Sequence, residues 1–214
     1  EHALPGGPGT SLPFSFFVDG APSRELLPRW ARASDAPAAG HPQRTVTRFA
    51  DPATGLRVTC EAALFQDFPA AEWLLWFENA GPADSPVISD VQALDLVLDA
   101  PIHPAMPFVL HRTNGAPSNA TDFEMTVHPL RGDDALILSA GGGRSSNRDF
   151  PFFRVDTARG AAIVAVGWSG QWQAAARCID NRRLRLTAGL ELTRFRLRPG
   201  ERVRSPRMLL LFYE

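Results

Sequence analysis

Apolar and polar residues take turns along most of this chain, and that alternation leaves it few ways to fold. Segments 45–49, 56–62, 91–98, 122–127, 183–188 and 193–197 each alternate, as a strand does when one face meets a core and the other meets water. Runs 73–77, 163–166 and 208–213 are apolar without interruption, which predicts strands buried on both faces or packed between sheets. Turn signals separate the runs: Asp51-Pro52, Asn79-Ala80-Gly81-Pro82, Asn114-Gly115, Arg131-Gly132-Asp133 and Arg198-Pro199-Gly200-Glu201, the last with Pro and Gly placed as a type II turn prefers. Helical periodicity is almost absent. The expectation is an all-β chain, a large antiparallel β-sandwich.

Length and charge narrow the function classes. At 214 residues, with 44% apolar and 21% charged, the chain can fill one large core, and one domain is the default. The net charge of −1, with both signs mixed along the sequence, argues against a nucleic-acid partner. No apolar span reaches eighteen residues, so no membrane-crossing helix is expected. Every basic residue is Arg. Residues 1–12 are rich in Gly and Pro and are expected to be a flexible N-terminal segment, with residues 13–214 forming the domain. The chain opens on Glu1 and stops on an apolar run, so both ends read as cuts. Cys60 and Cys178 lack His partners at zinc spacing; they are buried thiols or one disulfide.

Three stretches are too irregular for simple hairpins: 19–42, 111–121 and the glycine-rich segment Gly141-Gly142-Gly143-Arg144-Ser145-Ser146. Long loops in compact domains commonly carry function or interfaces. Trp168, Gln171 and Trp172, flanked by Gly167 and Gly170, resemble a sugar platform, an aromatic surface beside fixed polar groups. Arg144 and Asn147 would add hydrogen bonds from the preceding loop. The simpler account of Trp168 and Trp172 is packing in the core or against another domain, and Trp73 and Trp76 read as core.

No catalytic constellation stands out. Glycosidases need two carboxyl groups, roughly 5–5.5 Å apart when they retain configuration. Asp122 and Glu124 would share a strand face at such spacing, but a loop-ending Asp122 and a solvated Glu124 explain both more simply. Asp67, Asp149 and Glu191 are the other acids near loops or strand ends. Ser145, Ser146 and Ser169 lack a nucleophile-elbow context. The histidines, His2, His41, His103, His111 and His128, are scattered. His111, placed at the opening of the 111–121 loop, is the one to watch. Gly141 to Gly143 precede a Pro-Phe-Phe strand in a chain without Lys, which excludes a phosphate loop. No metal or cofactor is implied.

The order of Gly143-Arg144-Ser145-Ser146 to Pro151-Phe152-Phe153, then Gly167-Trp168-Ser169-Gly170-Gln171-Trp172, then Pro199-Gly200-Glu201 and a terminal apolar strand resembles the N-terminal domain of glycoside hydrolase family 36. Upstream, Asp67-Phe68-Pro69, Glu72-Trp73 and Phe77 to Gly81 look like the matching part of α-galactosidase-like members. Two departures stand out: Ser145-Ser146-Asn147-Arg148 replaces a Ser-Ser-His-Gln pattern, and Trp172 stands where Phe is usual. The resemblance implies a supersandwich of galactose mutarotase-like type that precedes a (β/α)8 barrel carrying both catalytic carboxylates. It implies that the partners are that barrel, in the same polypeptide, and a galactoside at the domain boundary, with a homo-oligomer also open. Arg144, Asn147, Trp168, Gln171, Trp172, His111 and Asp122 then become candidates for the substrate rim or the interface. A free-standing carbohydrate-binding sandwich with a Trp platform is the alternative. A secreted or periplasmic parent fits the resemblance, as does a cytoplasmic one.

Overall fold

The computed structural model describes residues 12–37, 40, 42–99, 108–157, 160–180 and 182–213. The expected flexible segment, apart from Leu12, lies outside the described residues, as do His2, His41 and His103. In chain order the first strands are β1 (Ser15–Val18), β2 (Ala21–Pro22), β3 (Ala31–Ser34), β4 (Gln43–Ala50), β5 (Leu56–Phe65), β6 (Ala70–Asn79), β7 (Ile88–Asp99) and β8 (Phe108–Asn114). There follow β9 (Met125–Leu130), β10 (Ala135–Ser139), β11 (Asp149–Thr157), β12 (Gly160–Gly167), β13 (Gln173–Cys178), β14 (Arg183–Gly189), β15 (Arg194–Phe195), β16 (Arg202–Arg204) and β17 (Arg207–Tyr213). Among the described residues helix is confined to one turn, α1 (Ser23–Leu26), continued by a 3-10 turn at Leu27–Arg29.

These strands form two antiparallel sheets. The smaller runs β10-β13-β14-β7-β1-β2, with β15 also on β7; the larger runs β3-β4-β5-β6-β17-β12-β11-β8-β9, with β16 also on β6. Their inner faces meet in one core. Leu56, Val58, Trp73, Leu75, Phe77, Val164, Met208 and Leu210 from the large sheet oppose Val91, Leu94, Ala174, Leu184 and Leu186 from the small one. Fully burying one such large side chain stabilises by about 1.5–3 kcal/mol. The Trp73 Nε1 donates to the Ala93 carbonyl across the layers at 2.7 Å, so even its polar atom is satisfied inside. Phe16 meets Phe77 edge-on at 5.2 Å between centroids.

Most alternating segments became strands, and the exceptions have physical causes. Of 193–197 only β15 pairs, because the buried Thr193 hydroxyl instead accepts the Val91 N–H at 2.8 Å. The segment 122–127 is a turn up to residue 124. Phe123 takes φ 61, a left-handed conformation that a strand does not adopt, and β9 starts only at Met125. The 19–42 stretch is more ordered than expected: Asp19 (φ 46) and Gly20 (φ 82) close a tight hairpin between β1 and β2, and β3 pairs with β4. Gly200 adopts φ 81, as the expected type II turn requires.

Cys60 and Cys178 are separate, buried thiols. Burial first, then the neighbouring Glu61 carboxylate, pushes the Cys60 thiol up to about 12. Trp76 differs from its expected core position: it is half-buried on the outside of the large sheet, with the Arg202 guanidinium 3.8 Å above its ring.

Candidate functional site

Strand direction gathers the irregular segments at one end of the sandwich. β8, β10, β12 and β14 all end there, so the 115–124, 140–148, 168–172 and 190–193 connections share that end. Backbone bonds join the first two: Gly115 N–H donates to Arg148 O at 2.8 Å and Ala116 N–H to Ser146 O at 2.7 Å. A Cβ on Gly115 would fall inside the radius of the Ser146 carbonyl oxygen, so the Asn114-Gly115 turn serves close approach of two loops.

The third loop is tied in by side chains. Gln171 Oε1 accepts the Gly142 N–H at 3.0 Å, while its amide Nε2 donates to Glu191. The Trp172 Nε1 donates to Ser145 O at 2.6 Å, and Ala140 N–H donates to Trp172 O at 3.1 Å. Trp172 is 0% exposed. Its ring therefore shows no face to a ligand, and a sugar platform built on it is ruled out. The Trp172 indole puts a donor under the 141–148 loop and pins it.

Arg144 is exposed and its Nη2 donates to Asn147 Oδ1 at 2.7 Å; Asn147 Nδ2 donates to Gly141 O at 3.3 Å. These two form the solvent-facing rim of the loop cluster. Asp122 accepts the Ser118 and Asn119 N–H groups at 3.0 and 3.1 Å, so it shapes its own turn. With Phe123 inverted between them, Asp122 and Glu124 do not share the strand face expected of a carboxylate pair.

Trp168 parts company with Trp172. It is half-buried, has Arg204 5.1 Å above its ring, and lines an open cleft of about 540 Å³ with Phe77, Val91, Phe195 and Leu197. His111 also lies apart. It sits inside β8 rather than at a loop mouth, and its Nε2 is 2.9 Å from Asp156 Oδ2. Burial alone would raise the Asp156 pKa, but hydrogen bonds from Arg154 and His111 outweigh it and hold the carboxyl below its usual range.

Beneath the loops is a polar network that the sequence pattern did not single out as a unit. Asp149, 1% exposed, accepts from Arg112 Nη1, from Arg148 Nε at 3.3 Å and from the Ser139 N–H at 2.8 Å. Arg112 also donates to Thr126 Oγ1 at 3.0 Å and to Asn114 Oδ1 at 2.9 Å, and Arg148 donates to Ser139 Oγ at 2.6 Å. One carboxylate thus joins β8, β10 and β11 under the loop cluster. The legible signal was Arg112 itself, which alternation places on the same face as Phe108 and Leu110.

The cluster can therefore offer hydrogen-bond donors and a half-buried indole, while Asp122, Asp149 and Glu191 are each engaged by donors of this chain. Among the described residues no group of three or more His, Cys, Asp or Glu side chains is placed to hold a metal ion, and no helix is long and apolar enough to cross a membrane.

Comparison with known protein families finds no matching family model, and no curated protein matches in sequence. Solved structures do match in fold. The α-galactosidase from Lactobacillus brevis superposes with a TM-score of 0.70 at 17% identity, over 96% of this chain and 29% of its own. The GH36 α-galactosidase AgaA from Geobacillus stearothermophilus gives 0.68 at 13% identity, over 96% of this chain and 30% of its own. A protein assigned as an aldose 1-epimerase from Escherichia coli K12 gives 0.53 at 14% identity, over 86% and 68%. The chain spans about 30% of the length of these α-galactosidases, matching their N-terminal part, and its fold is the two-sheet sandwich that they and the epimerase-type protein share.

Proposed function

We propose that this chain is the non-catalytic N-terminal sandwich of an α-galactosidase-like glycoside hydrolase. It stabilises a catalytic barrel in the same polypeptide and borders the barrel's substrate entrance. The parent hydrolyses terminal α-galactosides with retention. The observation that carries this is the asymmetry of the fold match: 96% of this chain superposes on 29–30% of known α-galactosidases. The loop cluster supports it, because Asp122, Asp149 and Glu191 are engaged by donors of this chain while Arg144, Asn147 and Trp168 stay accessible. A rim needs donors for hydroxyl groups and an apolar surface, and leaves the reacting carboxylates to another unit.

The test compares residues 1–214 with the product of the whole reading frame that contains them. Against p-nitrophenyl α-galactoside the whole product is expected to turn over and the 214-residue chain to be inert. Calorimetric titration of the short chain with melibiose should give no heat. Turnover by the short chain alone, or a whole product without α-galactosidase activity, sinks the proposal.

A further inference from the structure

Along β9, β11, β12 and β17 the outer face of the large sheet carries apolar residues where water should make it polar, whereas Arg48, Arg57, Glu61 and Glu78 keep its β4–β6 part charged. Phe123, Met125, Val127 and Phe152 are 59%, 62%, 53% and 48% exposed. Phe150 sits between two of them, 5.9 Å from Phe123 and 5.4 Å from Phe152 by ring centroids. β9 has turned its apolar residues outward, while its Thr126 and His128 face in toward Arg112. The register carries the apolar surface across the sheet. Phe152 pairs with Ala165, which pairs with Leu209; Ile163 pairs with Leu211.

β12 and β17 sharpen the point. Their uninterrupted apolar runs are the sequence signature of strands covered on both faces. The small sheet covers one face, burying Val164 to 0% and Leu210 to 4%. On the other face Ile163, Leu209 and Leu211 are only half-covered, and no second layer of described residues lies over them. Exposed apolar surface of this extent marks an interaction site.

We infer that this face is the docking surface for the catalytic unit of the parent, an inference that rests on the function proposed above. Two observations select that occupant. About 70% of each matching α-galactosidase lies outside the part this fold covers, so a large unit adjoins the sandwich there. The face also reaches β17, whose Tyr213 pairs with Ala161 and lies 5.4 Å from the Arg154 guanidinium, so polypeptide continuing from β17 starts on the surface it is to cover. Register places His111 and Arg154 within the face, between Val127 and Ile163, and these two pair with Asp156, so the charges a docked unit would cover are already matched.

Methionine oxidation by dilute hydrogen peroxide tests this on the whole reading-frame product, with α-galactosidase activity measured in the same preparation. Met208, buried at 0%, is the internal reference. Met125 should oxidise as slowly as Met208, although the sandwich itself leaves it 62% exposed. A second readout is the double variant Met125→Lys with Phe152→Lys. It should split one cooperative melting transition into two, whereas Ile137→Lys, at an exposed apolar residue of the small sheet, should leave it single. Rapid Met125 oxidation in an active enzyme overturns the docking inference and leaves the proposed function standing. Protection lost on dilution, with a fall in mass, assigns the face to a second copy and overturns it as well. An inactive product breaks the functional reading itself.

Discussion

The two sheets meet water differently. The outer face of the small sheet is mostly charged and polar: Arg177, Arg183 and Arg185 stand out, Arg185 grips Asp95 at 2.7 Å, and the exposed apolar Val97 and Ile137 are set among polar neighbours. The outer face of the large sheet presents Phe152, Ile163, Leu209 and Leu211 instead. Both sheets contribute fully buried side chains to the one core, so core packing does not explain the contrast. Alternation records the neighbour on each side of a strand, and β12 and β17 lack the alternation that β13 and β14 keep.

The inner scale against which outer substitutions are read is set by Trp172. Trp172→Ala should destabilise by about 3–5 kcal/mol, read as a lowered urea midpoint. It removes a fully buried ring and the donor to Ser145 O. A loss below about 1 kcal/mol would mean that the 141–148 loop is not pinned from beneath. Asp149→Asn comes next, at about 2–3 kcal/mol, below the ~3–5 kcal/mol typical of a broken buried ion pair. Arg112 keeps 26% of its side chain exposed and can recover some hydration. The loss should fall on β8 and β11, and faster amide exchange of Gly115 would report it.

Adjacent residues on β12 give the most direct comparison of the faces. Val164→Ala should cost about 2 kcal/mol. Ile163→Ala, which deletes more methylenes but from the open side, should cost less than about 1 kcal/mol in the 214-residue chain. In the whole parent the docked layer should raise the Ile163 cost toward the Val164 value. Equal costs in the short chain would erase the distinction between covered and open faces.

Where period two was intact, the fold was legible. The strands from 56–62 and 183–188 follow from it directly, and the uninterrupted run at 163–166 became β12, with Val164 covered and Ile163 half-open. The site was less legible, because its organisation depends on contacts distant in sequence. Nothing local distinguishes Trp172, buried under Ser145, from Trp168, four residues earlier and open to a cleft. His111 was misplaced for a related reason: the polar residues after Leu110 read as loop, yet Arg112 and Asn114 are polar because they serve Asp149 and each other inside the sandwich. A buried charge network imitates a loop in a hydrophobicity pattern. The inverted β9 has the same origin, since the inward Arg112 requires an acceptor such as Thr126 opposite.

The smallest expected effect is electrostatic and compares one acid from each sheet's surface. Burial opposes ionisation of Asp156, but hydrogen bonds from Arg154 and His111 hold its pKa below 3.8. At Asp180 the leading cause is the hydrogen bond from Arg183, which likewise lowers the value from 3.8. A folded-state pKa depressed below the unfolded one gives stability that is present above the unfolded value and lost as pH falls through the folded value. Asp156→Asn and Asp180→Asn should therefore each flatten the acid limb of the stability profile below about pH 4 and leave neutral pH nearly unchanged. Salt separates them. Asp180 keeps 41% of its side chain exposed against 27% for Asp156, so its contribution should be screened the more strongly and largely fade by roughly 1 M salt, where the screening length is about 3 Å. Asp156, held by Arg154 and His111 on the outer face of the large sheet, should keep part of its own, and more of it in the parent if the docked unit excludes water there. An acid limb that responds to salt identically in the two variants would mean that both sheets present the same solvated surface, against the contrast drawn between them.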